Sequence, residues 1–526
     1  MDRLTSLPNG LALVPKPSDW ASDSTAAAVG PVRSGADPNC SFIASLDFGG
    51  GYMRSTGVSD ADECCSVCSR DPSCWAAVLS TLGSTLICWL KNATQAAKPI
   101  YSTGVQACWV TSRGPSPVPP DPIGHCNPLL AQETHGGYQQ GDGWPTVNSR
   151  GGDGLFAPNT PPVLDPPYTH GVGCQGTYAS EFGGSSMSSF ESMSTTLSPA
   201  NWGLHSPPMY QRNYAADNFV RSYFGDAAVN FSATGALALQ AQLYLATLAA
   251  ALEVGADISV RRSRNAFGSL TWMLNEIWPT GGWGSLEYGT VGFTPGQVIG
   301  GRWKPLHHFL ADSLFTDQFG TCGADGRCLF KNDDALRTFS GDASLYLLHI
   351  ASGASSVLMT TALSLPRGAG SSVWLCADGT PLSPVALCPS WETLLPTRGC
   401  AANGSDCVLL VRISSTTLAT PYSNVVLLAP PRAMLPLPRA VVTAVVAPTV
   451  DADGRSINIT VSAAADSGSA LFVVLTTAAQ GRFSTNAIVL PAGDNVVLQF
   501  LSSVGFLDRD LLAATLRVEH VAQYVH

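Results

Sequence analysis

The stretch TYASEFGGSSMSSFESMS, from Thr177 to Ser194, sets one glutamate, Glu181, between a small apolar approach and a Gly/Ser-rich exit. A carboxylate held rigidly at a strand end can attack an electrophilic carbon or take a proton, and it needs a second group to protonate what leaves. The one Asn-Glu pair in the chain, Asn275-Glu276, lies far downstream, at the mouth of GSLTWMLNEIWPTGGWGS. There a short apolar strand empties into an aromatic loop, and Trp272 and Trp278 are flat surfaces on which the apolar face of a ligand can stack. His135 and Tyr138, in QETHGGYQQGDGWPTVN, add a hydrogen-bonding ring and a phenol.

Bulk properties narrow the partner. The 526 residues carry 13% charged side chains and a net charge of −10, with no basic cluster, which removes the electrostatic basis for binding nucleic acid. Fifteen cysteines and five Asn-X-Ser/Thr sequons (Asn39, Asn92, Asn230, Asn403, Asn458) point together to an oxidising, glycosylating compartment. The first twenty residues lack a basic segment followed by an apolar one, so no signal peptide is read there and the leader is expected to be missing from this chain. The apolar run Ala236–Ala256 is interrupted by Gln240, Gln242 and Glu253, and it is read as a buried helix of a large protein rather than a membrane span.

Several elements must position these residues. A cysteine-dense block from Cys40 to Cys108 ends at the Pro-rich run RGPSPVPPDPIG, a stiff linker. Within the block, SDADECCSVCSRDPSCW predicts a helix capped by Ser59, with Cys64 and Cys68 one turn apart. Zinc is a poor alternative, since paired C-x-x-C and His ligands are lacking. From about 125 to 330 the chain is rich in Trp, Tyr and Gly, and a helix running into a buried strand whose end is polar and aromatic is what the rim of a (β/α) barrel requires. Beyond about 331, runs such as CVLLVRIS, SINITVSA and ALFVVLTT, bounded by Gly, Pro, Asp or Asn, predict antiparallel sandwiches. CGADGRC and CAANGSDC read as local disulfide staples.

On these residues the chain resembles the β-mannosidases of glycoside hydrolase family two. ASEFGGSSMSSFESM is similar to that family's nucleophile segment, RRSRNAFGSLTWMLNEIWPTGGWGSLEYG with GGRWKPLHHFLADSLF to its eighth barrel strand, Trp loop and last helix, and ALFVVLTTAAQGRFSTNAIVLPAG to its terminal Ig-like domain. The block at 36–111 resembles the apple or PAN module, which implies the bridges Cys68–Cys74, Cys64 or Cys65 to Cys88, and Cys40–Cys108. The resemblance implies a multidomain chain: a residual barrel segment after strand five (1–35), the apple/PAN-like module (36–111), a linker (112–124), the C-terminal half of a (β/α)8 TIM barrel (125–330), and two Ig-like sandwiches (331–432 and 433–526).

It also implies roles. Glu181 would be the nucleophile of a retaining hydrolase that removes terminal β-linked mannose from oligosaccharides, with Trp272 as the floor of the sugar subsite and Asn275, His135 and Tyr138 contacting the sugar. Glu276 lies where the family has its eighth strand and is not expected to act as the acid/base. That group, and barrel strands one to four, would lie upstream of this chain, so the chain alone is not expected to hydrolyse β-mannosides. Two carboxyls suffice for such a reaction, so neither metal nor organic cofactor is implied. The expected setting is the secretory pathway, extracellular or lysosomal/vacuolar. The alternative is a non-catalytic secreted protein whose apple/PAN-like module binds a protein or carbohydrate ligand.

Overall fold

The computed structural model describes residues 33–34, 40–48, 52–82, 85–96, 99–113, 132–138, 161–162, 164 and, apart from short loops, 177–525. Its contacts separate two compact units, Met1–Gln132 with Pro166–Gly176, and Glu133–Asp165 with Thr177–His526.

The first unit holds an antiparallel sheet in the order Arg33–Ser34, Cys40–Phe48, Pro99–Val110, Ala76–Leu82, Thr85–Lys91, Arg54–Val58. One helix, Ala61–Arg70, packs on it through Ala61, Cys64, Cys65 and Cys68, an i, i+3, i+4, i+7 stripe. Its cap is Asp60 rather than the expected Ser59: Asp60 Oδ1 accepts the Glu63 N–H at 2.8 Å, and the Glu63 carboxylate accepts the Ser59 N–H at 2.6 Å. The acid one residue closer to the helix wins because it reaches the third free N–H directly. Arg113 closes the other end, donating to the carbonyls of Ser69, Asp71 and Cys74.

Adjacent Cys64 and Cys65 serve different strands. Cys64 bonds to Cys88, Cys65 to Cys40, and Cys68 to Cys74. The expected Cys40–Cys108 bridge is absent, and Cys108 is a free, buried thiol whose pKa burial pushes up to about 12. Sheet register gives the reason: Cys40 stands opposite Val110, and Cys108 opposite Phe42. Cys65 on the helix is within bridging reach of Cys40 instead, with Cα atoms 6.1 Å apart. Residues 36–113, which include the Arg113 seal, are expected to fold alone under oxidising conditions and unfold on reduction, because a core this small depends on its staples. Non-reducing peptide mapping should return these three bridges, and a reduced module that kept its sheet signal in circular dichroism would contradict the dependence.

In the second unit the strand Thr177–Gly183 lies between Gln132–Tyr138 and Gly268–Thr271, and it runs parallel to the latter. Parallel neighbours need a long crossover, here provided by residues 184–267 with the helix Ala236–Ser263. That helix is apolar and long enough to cross a membrane, but 83% of its most apolar window is buried inside the protein. Two of its polar interruptions are paired internally: Gln242 accepts the Leu204 N–H at 2.8 Å and donates to the carbonyls of Asn230 and Ala233, and Glu253 accepts the Tyr223 hydroxyl. Along with the helix Pro305–Ser313 it covers one face of the sheet, where Ala179, Phe182, Ala251, Val254, Ile258, Leu306 and Leu310 form a continuous core.

Two sandwiches follow. The first joins the sheet Gln318–Cys322, Arg327–Asn332, Ser371–Cys376 to the sheet Ser355–Leu365, Phe339–His349, Cys407–Ser414, Tyr422–Leu427, so its strands begin ahead of residue 331. Cys322–Cys328 and Cys400–Cys407 are bridged, as the short loops predict, and Cys376–Cys388 is a third staple. The second joins Val442–Val446, Ser456–Ala463, Asn495–Ser502, Gly481–Phe483 to Ile488–Leu490, Ala470–Thr476, Arg517–Glu519. Alternation along these strands sends one face inward: in Ser456–Ala463, Ile457, Ile459 and Val461 are buried.

Candidate active site

Glu181 lies in a bulge. Tyr178 and Ala179 pair with Gly268 and Ser269, but the next pair is Phe182 with Thr271, so the Glu181 strand has one residue more than its neighbour at Ser180–Glu181. A bulge of this kind breaks the in–out alternation and re-aims a side chain at a strand end. Phe182 is fully buried against the helices, with the Arg261 guanidinium 4.6 Å from its ring centroid. Gly183 is required by packing: a Cβ there would lie 2.3 Å from the Trp272 carbonyl oxygen. The S-E-F-G order therefore has a physical reason at each of its last three positions, a half-buried carboxylate, a core anchor and a point of close backbone approach.

The neighbouring strand ends at the same level. The Trp272 N–H donates to the Phe182 carbonyl at 2.7 Å, which brings the end of the Trp272 strand beside Glu181. Trp272 is 44% exposed and Trp278 36%, so neither indole is spent in the core. The loop beyond folds back on itself through Met273 N–H to the Trp283 carbonyl and Leu286 N–H to the Leu274 carbonyl. Gly284 is needed for that return, since a Cβ would come within 2.4 Å of the Asn275 carbonyl carbon. Asn275 is exposed, and its Nδ2 donates to the Glu276 carbonyl at 3.2 Å.

Glu276 faces inward. Its Oε1 accepts from Lys304 Nζ at 2.5 Å and from the Gly284 N–H at 3.1 Å, and both side chains are almost entirely removed from water. Burial pushes the Glu276 carboxyl above its ordinary range, against the pull of Lys304. Lys304 Nζ also donates to the Ser186 carbonyl, and the Ser186 N–H donates to the Gly282 carbonyl at 2.8 Å. One buried ion pair thus ties the exit of the Glu181 strand to the Trp272 loop.

A second network holds the residues after Glu181. Glu287, buried at 4% exposure, accepts from the Ser189 N–H, the Ser189 hydroxyl and the Ser192 hydroxyl, and pairs with Arg302 at 3.2 Å. Arg517 of the terminal sandwich grips Glu191 through two hydrogen bonds, at 3.0 and 3.2 Å, and contacts Glu519 at 2.5 Å. Burial pushes Glu519 up to about 7 despite the Arg517 charge. The SSFES stretch is thereby fastened to both the Trp loop and the last domain.

Comparison with known proteins places one match in the terminal sandwich. Residues 440–524 match the Ig_mannosidase family model, an Ig-fold domain. The chain is 30% identical over 145 residues to the β-mannosidase of Capra hircus, an alignment covering 25% of this chain and 15% of that enzyme. Over these matched stretches the chain is similar to β-mannosidases. Two solved structures of the exo-chitosanase of Amycolatopsis orientalis superpose with a TM-score of 0.45, at 13% and 14% identity over 69% and 71% of this chain and 44% and 45% of theirs. The chain thus spans under half the length of that solved protein, and its match to the goat enzyme spans a smaller share still.

In this chain Glu181 and Trp272 end neighbouring strands and Asn275 lies in the loop after Trp272. His135 and Tyr138 fall on the strand Gln132–Tyr138, the other neighbour of the Glu181 strand, and their side chains lie outside the described residues. Sequence reading did not single out Lys304, Glu287, Arg302 or Arg517. The signal for the first was a lysine between Trp303 and Pro305, where a charged group removed from water needs a buried partner.

Proposed function

We propose that this chain carries the nucleophile half of a retaining glycoside hydrolase that removes terminal β-linked mannose from oligosaccharides. The observation that carries this reading is the bulged strand end bearing Glu181 beside a parallel strand that ends on the exposed Trp272. The three strands are taken as the sixth, seventh and eighth of a (β/α)8 barrel, whose functional groups gather at the carboxyl ends of its strands. The apolar side chains of Leu270, Leu274 and Ile277, 53%, 53% and 75% exposed, support it: among the described residues Gly268–Thr271 pairs only with the Glu181 strand, and an apolar edge of this kind is suited to a further strand.

In this mechanism the Glu181 carboxylate attacks the anomeric carbon. A second carboxyl, supplied by a strand outside the described residues, protonates the departing oxygen and then activates water, the two groups standing about 5 to 5.5 Å apart. Trp272 stacks under the sugar ring, while Asn275, His135 and Tyr138 contact its hydroxyls. The substrate is a β-mannoside oligosaccharide or glycan, no metal or organic cofactor is called for, and the setting is the secretory pathway or its lysosomal/vacuolar branch, consistent with six bridges among the described cysteines. The test is stereochemical and uses protein that includes the preceding barrel strands. Proton NMR of early turnover should show β-mannose as the first product, and α-mannose first would mean inversion and no covalent intermediate.

A second reading is favoured by the separateness of the first unit, a stapled helix on an antiparallel sheet. As an apple/PAN-like module it would bind a protein or carbohydrate ligand, with or without a working barrel.

A further inference from the structure

The sequon Asn458-Ile459-Thr460 lies in the middle of a strand of the terminal sandwich. In extended chain, residues i and i+2 share a face. Ile457, Ile459 and Val461 are buried, so Asn458 and Thr460 both face outward, Asn458 exposed and Thr460 partly so. Thr460 stands opposite Val445 on one neighbouring strand and Val497 on the other. These valines are 65% and 58% exposed, a pair of β-branched apolar groups in water flanking the sequon threonine. Asn458, the next outward residue of the strand, is opposite Gln499.

Other sequons differ. Asn92 is half-buried and its Oδ1 accepts the Gln95 N–H at 3.0 Å, capping a short helix. Asn230 and Asn403 are exposed and accept the Ser232 and Ser405 N–H groups in local turns. Only at Asn458, among these four, does a sequon share its face with exposed valines on both neighbouring strands.

We propose that Asn458 carries an N-linked oligosaccharide whose first sugars lie over Val445 and Val497. In the transfer step Asn458 Nδ2 attacks C1 of a sugar carried on a lipid diphosphate. The C1–Nδ2 bond forms, the bond from C1 to the diphosphate oxygen breaks, the lipid diphosphate departs, and Nδ2 gives one proton to a base of the transferase. The C–H face of the attached sugar then takes the place of water over the valines, as apolar contact favours. This rests on the secretory reading above.

The full chain, secreted from a eukaryotic host, is treated with peptide-N-glycosidase in heavy-oxygen water and mapped by mass spectrometry. Expected are a heavy-labelled aspartate at 458, loss of that glycan in Thr460→Ala, and a rise in apolar-dye fluorescence on enzymatic deglycosylation that disappears in the Val445→Ser/Val497→Ser double variant. Occupied Asn230 or Asn403 with an unmodified Asn458 overturns the proposal and leaves the secretory reading standing. No occupied sequon at all overturns both. An occupied Asn458 whose removal leaves dye binding unchanged overturns the covering role.

Discussion

Glu181→Gln is expected to lower turnover of a β-mannoside by roughly 10⁴- to 10⁶-fold, the range seen when a covalent nucleophile is removed, in protein that forms the barrel proposed above. The amide keeps the shape of the carboxylate but is a far weaker nucleophile. Folding should be unchanged, because Phe182 and Gly183, not Glu181, fill the tight positions of this strand end. Glu276→Gln is the comparison. Its carboxylate is committed to Lys304 and the Gly284 N–H, so the substitution should reduce stability without removing a proton-transfer group, and added azide should not rescue its activity. Full turnover in Glu181→Gln would remove Glu181 as the nucleophile, and azide rescue of Glu276→Gln would give Glu276 a catalytic role.

Lys304→Met is expected to destabilise the second unit by about 3–5 kcal/mol, because it strands a buried carboxylate with no counter-charge. Such a loss is a large fraction of the stability of an ordinary domain. The pH dependence follows from the sign of the shift. Burial already raises the Glu276 pKa, and without Lys304 it should rise further. A carboxyl with a raised folded-state pKa favours the fold below its unfolded pKa, and that contribution fades as pH climbs through the folded value. The variant should therefore lose less stability near pH 5 than near pH 8, and Glu276→Gln/Lys304→Met should recover part of the loss. Urea unfolding at the two pH values measures both effects. Equal midpoints for wild type and Lys304→Met would mean that the ion pair contributes nothing to joining the Glu181 exit to the Trp loop.

Much of the architecture was legible because it is local. The alternating Val/Leu/Thr runs form the expected sandwich strands, and the short Cys322–Cys328 and Cys400–Cys407 loops close as their spacing allows. The buried reading of the Ala/Leu-rich helix holds because Gln242 and Glu253 find partners inside the protein. What sequence could not give is register and pairing at a distance. Adjacent Cys64 and Cys65 occupy neighbouring positions on one helix, and only the sheet behind them decides that Cys65, not Cys108, meets Cys40. The bulge at Ser180–Glu181 depends on the strand beside it. Glu276 resembles a catalytic Asn-Glu pair in sequence, and its commitment to Lys304 becomes visible only when the loop from 273 to 286 closes.

The most direct test of Glu181 as nucleophile is to trap the covalent intermediate with a 2-deoxy-2-fluoro-β-mannosyl fluoride, on protein that forms the proposed barrel. Fluorine at C2 slows both steps by destabilising positive charge at the anomeric carbon, and the fluoride leaving group, which needs little acid help, restores the first step alone. Peptide mapping of the inactivated protein should find one fluoromannosyl group, on Glu181 in the peptide containing TYASEFGG. A label on Glu276 or another carboxylate, or hydrolysis of the reagent without any trapped ester, would contradict the assignment.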